Sequence, residues 1–194
     1  MVNKHSDISQ FFIAGINYKK TDASIRGQFA IGNEQYGKIL ALAPAYGLRE
    51  LFILSTCNRT EIYGLAEDAS QLIDLLCTQT AGSRETFTGL AYCKNGLDAM
   101  EHLFQVASGL DSQILGDYEI VGQLKQAVKF AKEKGEKSYV GAFLERLVNC
   151  VLQSSKTVKN QTALSGGTVS VSFTAVQYIR EKIRDISGKK ILLI

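Results

Sequence analysis

The hydrophobic pattern of the chain changes at Gly96, and this change constrains the fold more than any other feature. From Phe11 to about Asn95, short runs with strand character alternate with longer runs of helical periodicity. After Gly96 the strand-like runs disappear, and apolar residues recur at steps of three and four, as one face of a buried helix requires. The sequence therefore predicts an α+β fold, in which a small mixed α/β sheet subdomain is followed by a helical bundle.

Individual elements can be placed from periodicity and from turn residues. Strands are expected at 11–18, 51–55, 61–66 and 86–93, with helices at 23–30, 34–46 and 71–80 between them, the last of these capped by Ser70. After Gly96, helices are expected at 97–115, 120–134, 139–159 and 168–186. The first of these later helices has an apolar stripe that should face a core.

The last residues of the sequence indicate a further domain. A turn at 187–190 leads into four apolar residues, Ile191 to Ile194, which resemble the strand that opens a dinucleotide-binding domain. No GxGxxG occurs in the 194 residues, so the glycine-rich turn of such a domain is absent. We therefore predict an α/β subdomain at 1–95, a helical subdomain at 96–165, and at 166–194 a linking helix with the first strand of a truncated Rossmann domain.

Composition excludes several classes of protein. Hydrophobic residues make up 45% of the chain, which is enough for ordinary cores, but the longest apolar runs are too short to span a bilayer. A signal-peptide pattern is also missing. The four cysteines lack CxxC spacing and there are two histidines, so neither a disulfide framework nor a zinc site is expected. We predict a cytoplasmic protein without a metal and without a membrane partner.

The net charge of the chain is mild, at +3. Its densest basic stretch, from Lys125 to Lys137, is interrupted by Glu133 and Glu136. Nucleic-acid-binding modules usually show a denser basic patch, so this stretch is interpreted as a solvated helix face in preference to an RNA contact.

The chemistry of the chain is concentrated just after the predicted strand 51–55. Cys57 follows an uninterrupted apolar run by three residues and lies among short polar side chains. Arg59 could stabilise a thiolate or bind an anionic substrate, and Asn58 and Thr56 add neutral polar groups. Acyl transfer to sulfur needs a thiolate nucleophile and donors for the oxyanion, and this segment can supply both.

A buried structural cysteine is the alternative for any of the four cysteines, since free cysteine is among the most buried residue types. Cys77, Cys93 and Cys150 have apolar neighbours in the sequence and fit this alternative. The polar surroundings of Cys57 set it apart from them. On the residues alone, both interpretations of Cys57 stay open.

Two segments resemble one known family. LSTCNRTEIY, residues 54–63, is similar to the cysteine signature of the glutamyl-tRNA reductases. HLFQVASGLDSQILGD, residues 102–117, together with Gly122 to Lys125, resembles the other long signature of that family. The two segments occur in the family's order, and the resemblance extends from about Phe11 to the last residue.

The resemblance implies an activity and its partners. The family reduces glutamyl-tRNA to glutamate-1-semialdehyde with NADPH through a cysteine thioester, the first step of the five-carbon route to 5-aminolevulinate and to tetrapyrroles such as heme. The implied partners are glutamyl-tRNA, a second copy of the full-length protein in a homodimer, and glutamate-1-semialdehyde aminomutase. This chain, which lacks the NADPH-binding domain, is expected to form the thioester and hydrolyse the ester, without reduction.

The resemblance also assigns catalytic roles. Cys57 is the implied nucleophile, and His102 is the implied catalytic assistant. His102 lies on the flank of the apolar stripe of the predicted helix 97–115, where, on the residues alone, a core-edge histidine bonded to a backbone carbonyl is favoured. The family resemblance reverses this preference and implies a proton donor or a group that positions the ester.

Substrate-binding positions are implied by the same match: Thr56, Asn58, Arg59, Ser112, Asp117, Tyr118, Glu119 and Gln123. Arg59 is the candidate for the glutamyl side-chain carboxylate, and an acidic group near Asp117 for the α-ammonium. Helix capping is the alternative for Asp117. Here the chain has Gly-Asp-Tyr-Glu-Ile at 116–120 where the family usually has Gly-Glu-Pro-Gln-Ile, so one carboxylate is shorter and one charge is added.

Two other classes of function compete with the reductase. In a non-catalytic tRNA-binding module, Cys57 would be structural and the helices would provide the affinity. A cysteine hydrolase is a weaker alternative, because only one histidine is suitably placed in the sequence and no orienting partner for it is recognisable.

Overall fold

The fold is built on an antiparallel sheet of four strands, in a computed structural model that describes residues 8–134, 137–164, 171–183, 185–190 and 192. The strands are β1 (Phe11–Asn17), β2 (Leu51–Ser55), β3 (Arg59–Leu65) and β4 (Tyr92–Asn95). Their order in the sheet is β2-β3-β1-β4, and every pairing is antiparallel. Strands β2 and β3 therefore form a hairpin, and Cys57 lies in its turn.

Helices α1 (Ala23–Gln28), α2 (Asn33–Leu42), α3 (Ala69–Cys77) and α4 (Arg84–Leu90) lie between the strands in sequence, and short 3-10 helices occupy Ile8–Gln10 and Ala43–Tyr46. The later helices are α5 (Gly96–Ala107), α6 (Glu119–Glu133), α7 (Ala142–Gln161) and α8 (Val171–Lys182). Helix α6 packs on β2, α5 packs on β1 and β4, and α7 packs on α5. The predicted α+β class, with a sheet followed by helices, is confirmed.

The predicted strand at 86–93 is wrong over most of its length. Residues 84–90 form α4, because the Ser83 side chain accepts a hydrogen bond from Thr86 N at 3.2 Å and caps the helix, and only the short strand β4 follows. The predicted cap at Ser70 is also wrong. Asp68 caps α3 instead, accepting from Ser70 N at 2.6 Å.

The predicted helix at 97–115 ends at Ala107. Gly109 takes a left-handed conformation with φ 73°, and the amides of Gly109 and Leu110 bond to the carbonyls of Val106 and Gln105 at 3.0 and 2.9 Å. These two bonds form a Schellman motif, which ends a helix and turns the chain away from its axis. Residues 108–118 are therefore a loop, and they run back toward the turn that holds Cys57.

Strand β2 is at the edge of the sheet, yet its outer amides are hydrogen-bonded. Leu51 N donates to Tyr139 O at 2.9 Å, and Ile53 N donates to the Tyr36 hydroxyl at 2.7 Å. The Tyr36 hydroxyl in turn donates to Ala127 O of α6 at 3.0 Å. The edge is thus covered by α2 and α6, which confirms that the apolar run at 51–54 is buried.

One apolar core extends across Gly96, because residues of the sheet, of α2 and α3, and of α5 to α7 all belong to it. The boundary predicted after residue 95 coincides with the junction of β4 and α5. The three-region division stays a prediction. Of the predicted last strand, Ile191, Leu193 and Ile194 lie outside the described residues, as do residues 168–170 of the predicted last helix. In the described ranges, no helix is both long and apolar enough to cross a bilayer.

Replacing Gly116 by alanine should destabilise the loop at 108–118. Gly116 has φ 81°, and a Cβ atom there would collide with Leu164 O. We expect Gly116→Ala to lower the free energy of unfolding by about 2 kcal/mol or more. Gly122→Ala is the matched control, because no atom lies within 4 Å of the added Cβ, and alanine should stabilise α6 by roughly 0.5–1 kcal/mol. Urea unfolding of both variants measures this difference, and equal effects would contradict it.

Candidate active site

Cys57 lies in a turn that is closed by local hydrogen bonds. Thr56 N donates to Arg59 O at 2.8 Å, and the Thr56 hydroxyl accepts from the amides of Asn58 and Arg59 at 3.2 Å each. The Cys57 side chain is exposed. The predicted exposure of this cysteine at the end of a buried strand is therefore confirmed, and its reactivity stays a prediction.

Two neighbouring segments hold the carbonyl groups of this turn. Tyr18 N donates to Asn58 O at 2.9 Å, and Arg26 Nε of α1 donates to Cys57 O at 3.0 Å. Arg26 also donates to Thr21 O. The sequence analysis did not identify Arg26, because it belongs to no motif and contacts the turn only through the tertiary fold. The turn is thus hydrogen-bonded both within itself and to two neighbouring segments.

A cavity of about 180 Å³ opens beside the thiol. Eight of the predicted site residues line it: Thr56, Cys57, Asn58, Arg59, Ser112, Asp117, Glu119 and Gln123. Ile120 and Ser172 also line it and were not predicted. Tyr118 and His102 are not among its lining residues. The fold thus brings together two segments that are about fifty residues apart in sequence.

The far wall of the cavity comes from the loop at 108–118 and the start of α6. The Ser112 carbonyl accepts from the Tyr18 hydroxyl at 3.2 Å, which ties the loop to the end of β1. The Asp117 carboxylate accepts from Glu119 N at 3.0 Å, so the capping alternative for Asp117 describes a real contact, although this side chain also lines the cavity. Tyr118 points elsewhere, with Lys159 Nζ 3.9 Å from its ring centroid.

Behind the cavity, Arg59 and His102 meet at one carboxylate. Arg59 Nη1 and His102 Nε2 lie 3.0 and 2.8 Å from Glu61 Oε1. Arg59 is 2% exposed, His102 5% and Glu61 0%. His102 therefore connects to the cavity through Glu61 and Arg59, and an ionised Glu61 requires the hydrogen to be on Nε2 of the imidazole.

Arg59 is also paired with the loop at 108–118. Its Nη1 atom lies 3.0 Å from Asp111 Oδ2, and its Nη2 atom donates to the Asp111 carbonyl. Lys19 forms an ion pair with the other Asp111 oxygen. The guanidinium is therefore held between two carboxylates, and this double pairing fixes its orientation at the cavity wall.

Two tyrosines complete the coordination of Glu61. Tyr63 donates to Oε2, and Tyr92 donates to Oε1. Gly15 pairs with Glu61 on one side and with Tyr92 on the other, and a Cβ atom on it would lie 2.6 Å from Glu61 Cγ. The absence of a side chain at Gly15 lets Tyr92 reach across β1 to the carboxylate. Burial is the main cause that raises the pKa values of both tyrosine hydroxyls, and the charge of Glu61 is the second. Both hydroxyls therefore stay protonated and act as hydrogen-bond donors to Glu61.

The balance of these effects keeps Glu61 ionised. Burial raises the pKa of Glu61, but the Arg59 guanidinium and the hydrogen bond from His102 outweigh burial and lower it well below the ordinary value of 4.5. The same carboxylate raises the pKa of Arg59 against the opposing effect of its burial. The cluster is thus a charged unit inside the protein, in which each charged group is paired with a group of opposite charge.

Glu61 and Asp111 were also missed in the sequence, although both lie within the two signature segments. Alternation along β3 was the available signal for Glu61, because residues two apart on a strand point to the same face, and Arg59 was already a candidate. Asp111 had no such signal. A continuous helix was expected there, and only the turn at Gly109 brings Asp111 to Arg59.

The other cysteines differ from the prediction. Cys93 and Cys150 are exposed, so the expectation that these two cysteines are buried is wrong. Their apolar neighbours in the sequence point inward, whereas the two cysteine side chains point outward. Cys77 is half-buried, and burial raises its pKa. Among the described residues, no three His, Cys, Asp or Glu side chains are grouped as metal ligands.

Removing the charge of Glu61 should cost stability in a pH-dependent way. Because folding lowers the pKa of Glu61, the ionised side chain stabilises the folded protein above about pH 4.5. This stabilisation is lost as the pH falls through the pKa that Glu61 has in the folded protein. We expect Glu61→Gln to lower the free energy of unfolding by about 3 kcal/mol at pH 7 and by much less at pH 3. Urea unfolding at both values tests this. The control is Glu34→Gln, which removes an exposed carboxylate and should have little effect; an equal loss at pH 3 and pH 7 would contradict the assignment.

Comparisons with known proteins agree on one family. The family model described as glutamyl-tRNAGlu reductase, N-terminal domain, matches residues 14–162. The glutamyl-tRNA reductase of Christiangramia forsetii is 50% identical over 183 residues, which cover 94% of this chain and 43% of that protein. The glutamyl-tRNA reductase of Aquifex aeolicus is 36% identical over 190 residues, which cover 96% of this chain and 46% of that protein.

A solved structure shows the same fold. Glutamyl-tRNA reductase from Methanopyrus kandleri matches with a TM-score of 0.70 and 26% identity, over 90% of this chain and 40% of that one. The chain thus spans less than half the length of the curated relatives it matches. From the matched residues and the shared fold, we conclude that this chain belongs to the glutamyl-tRNA reductase family, in the region of its N-terminal domain.

Proposed function

We propose that this chain forms the acyl-transfer site of a glutamyl-tRNA reductase. The observation that supports this most directly is the cavity at Cys57, where an exposed thiol on a rigid turn faces polar and charged groups from a second segment. A cavity of about 180 Å³ with one reactive sulfur at its rim suits a small acyl group. Names of the relatives agree with a glutamyl ester as that substrate.

The proposed step is attack of the Cys57 thiolate on the ester carbonyl that joins glutamate to tRNA. A carbon–sulfur bond forms, the ester carbon–oxygen bond breaks, and the tRNA leaves as the free ribose hydroxyl after it takes up a proton. The product is a glutamyl thioester on Cys57. Water can then hydrolyse this thioester, so the chain by itself should release glutamate from glutamyl-tRNA.

Recognition of the glutamyl group is proposed to use charges at the cavity wall. Arg59 presents a cation of fixed orientation to the side-chain carboxylate, and Asp117 and Glu119 present acids to the α-ammonium. Thr56, Asn58, Ser112 and Gln123 add neutral polar groups around the ester. In this chain Asp117 and Glu119 supply two carboxylates close together, which favours a substrate that is cationic at this end.

His102 is proposed as a positioning residue. It is 5% exposed and donates to Glu61, which in turn orients Arg59, so its influence on the substrate passes through the buried cluster. A direct proton transfer to the ester is less well supported, since His102 is not among the residues that line the cavity. Tyr118 also lies outside the cavity and stands where the family usually has proline, so neither the cavity lining nor the family motif supports its predicted substrate role.

The reduction itself needs a hydride donor, and NADPH is the donor that the resemblance implies. NADPH would supply a hydride to the thioester and give glutamate-1-semialdehyde, on the route to tetrapyrroles. The 194 residues contain no GxGxxG turn, so we derive no step through the cofactor from them. A homodimer, the aminomutase partner and a cytoplasmic location stay predictions from the resemblance and the composition.

Replacing the proposed nucleophile should abolish turnover. We expect Cys57→Ser to reduce release of glutamate from glutamyl-tRNA by at least about a thousandfold, and to remove a covalent glutamyl adduct detected by mass spectrometry of the intact protein. Cys150→Ser, which changes another exposed cysteine on α7, is the control and should keep both the turnover and the adduct. Unchanged release from the Cys57 variant would refute the assignment.

Alkylation separates the enzyme from a non-catalytic tRNA-binding module. If Cys57 is a reactive nucleophile, iodoacetamide at neutral pH should modify it faster than Cys93 and Cys150, which are also exposed. Peptide mapping over a time course measures the three rates. Equal rates, together with undiminished binding of tRNA, would favour the binding module.

A further inference from the structure

Three depressions follow one another along one side of α6. The first is the Cys57 cavity. The second, of about 320 Å³, shares Gln123 with the first and is lined by β2, α2 and α6. The third, of about 950 Å³, shares Asn33 and Phe130 with the second and extends to the end of α6. The three depressions are therefore neighbours along α6, with the Cys57 cavity at one end of the row.

The second depression has the chemistry of a site for a neutral, planar group. Its described lining includes no charged residue, and it contains three side-chain amides, those of Asn33, Gln123 and Gln126. Within the described part of the chain these amides make no hydrogen bond, so their donors and acceptors are open to a ligand. Phe130 adds an aromatic wall and is stacked on Tyr36, with ring centroids 4.7 Å apart. A nucleobase offers both a ring face and donors and acceptors at its edge.

The third depression is basic. Lys38, Lys134 and Lys137 line it, and the acid among its described lining residues, Glu34, is already paired with Lys38 at 2.7 Å. Lys134 Nζ lies 5.9 Å from the centroid of the Phe130 ring, at the border with the second depression. Positive charge beside an aromatic wall is the combination by which proteins bind single-stranded nucleic acid.

Other lysines of the same basic stretch are arranged differently. Lys132 pairs with Glu145 at 2.5 Å, and Lys129 lies 3.9 Å from Glu133. These two fit the solvated helix face expected from the sequence. Lys134 and Lys137 depart from that expectation, because they line a depression that shares Asn33 and Phe130 with the second depression of the row.

The length of the row matches a short segment of RNA. Gln123 and Lys134 are eleven residues apart, which corresponds to roughly 16 Å along a helix axis. At about 3.4 Å for each stacked nucleotide of one strand, this distance accommodates a few nucleotides. The acyl ester joins glutamate directly to the terminal ribose, so the terminal nucleoside must lie immediately next to the Cys57 cavity.

We propose that this row, the α6 groove, binds the single-stranded 3′ end of the acylated RNA. The α6 groove is defined by Asn33, Lys38, Gln126, Phe130, Lys134 and Lys137. The terminal nucleoside occupies the second depression, against Phe130 and the amides, and the preceding phosphates lie at the lysines of the third. This proposal rests on the proposed function, since it takes the glutamyl ester to be bound at Cys57.

The first test reverses charge in the groove. The double variant Lys134→Glu, Lys137→Glu should raise KM for a glutamylated RNA minihelix by about tenfold, and the slope of log affinity against log salt should fall by about 0.7 for each phosphate that the variant no longer neutralises. Lys125→Glu is the matched control, because Lys125 precedes Lys134 by nine residues and lies on about the opposite side of α6. Hydrolysis of a small glutamyl ester without RNA should be unchanged in both variants.

The second test removes the aromatic face while keeping apolar volume. Phe130→Leu should weaken binding of the minihelix without its glutamyl group by about tenfold, measured by fluorescence anisotropy. A thermal unfolding curve verifies that the variant is folded. Gln126→Ala, an exposed position, provides a variant without a packing change and should weaken binding in the same direction.

The outcomes separate this inference from the proposed function. If groove variants bind and turn over the minihelix like the unchanged chain while Cys57 is still acylated, the groove is not the RNA site and the inference is overturned. If neither the minihelix nor the small ester acylates Cys57, the proposed function fails. In that case, binding of the minihelix without its glutamyl group still tests whether the α6 groove is the RNA site, because this measurement does not require acyl transfer.

Discussion

The buried ion pair between Arg59 and Glu61 is the interaction on which the rest of the site depends. Each partner is at most 2% exposed, so either charge alone would carry a large desolvation cost. Glu61 is stabilised by four donors, and Arg59 is shared with Asp111. Through this cluster, strand β3 is joined to α5 at His102 and to the loop at 108–118. The cavity beside Cys57 therefore has a wall whose position is set from within the core.

This arrangement explains why two distant sequence segments act together. The first segment supplies a rigid turn with an exposed thiol, and the second supplies the opposite wall. The Schellman motif at Gly109 is what allows the second segment to face the first, because a helix continued beyond Ala107 would direct residues 110–118 along the α5 axis. The left-handed Gly109 thus turns the chain back toward Cys57, and the pairing of Arg59 with Asp111 fixes the loop in that position.

The charge distribution also changes along α6 in the order that an acylated RNA would need. Acidic and cationic groups surround the small cavity, the neighbouring depression is neutral and partly aromatic, and the third is basic. The ends of α6 differ because its first turn contributes Glu119 to the cavity, whereas its last turn leads to Lys134. One helix thereby connects the proposed chemistry to the proposed recognition of RNA.

Much of this protein follows from local sequence, and the rest required the fold. Apolar runs, turn residues and periodicity determined the sheet-then-helix order, the buried strand at 51–55 and the exposed thiol after it, because each depends on residues close in the chain. The resemblance of two segments supplied eight of the residues that line the cavity. The structure also revealed two local features that periodicity does not show, the end of α5 at the Gly109 turn and the helix at 84–90 capped by Ser83. Tertiary structure decided the exposure of Cys93 and Cys150 and the roles of Glu61, Asp111 and Arg26. The roles of Glu61, Asp111 and Arg26 depend on pairing between groups distant in sequence and on desolvation, and neither can be evaluated before the positions of those groups in the fold are known.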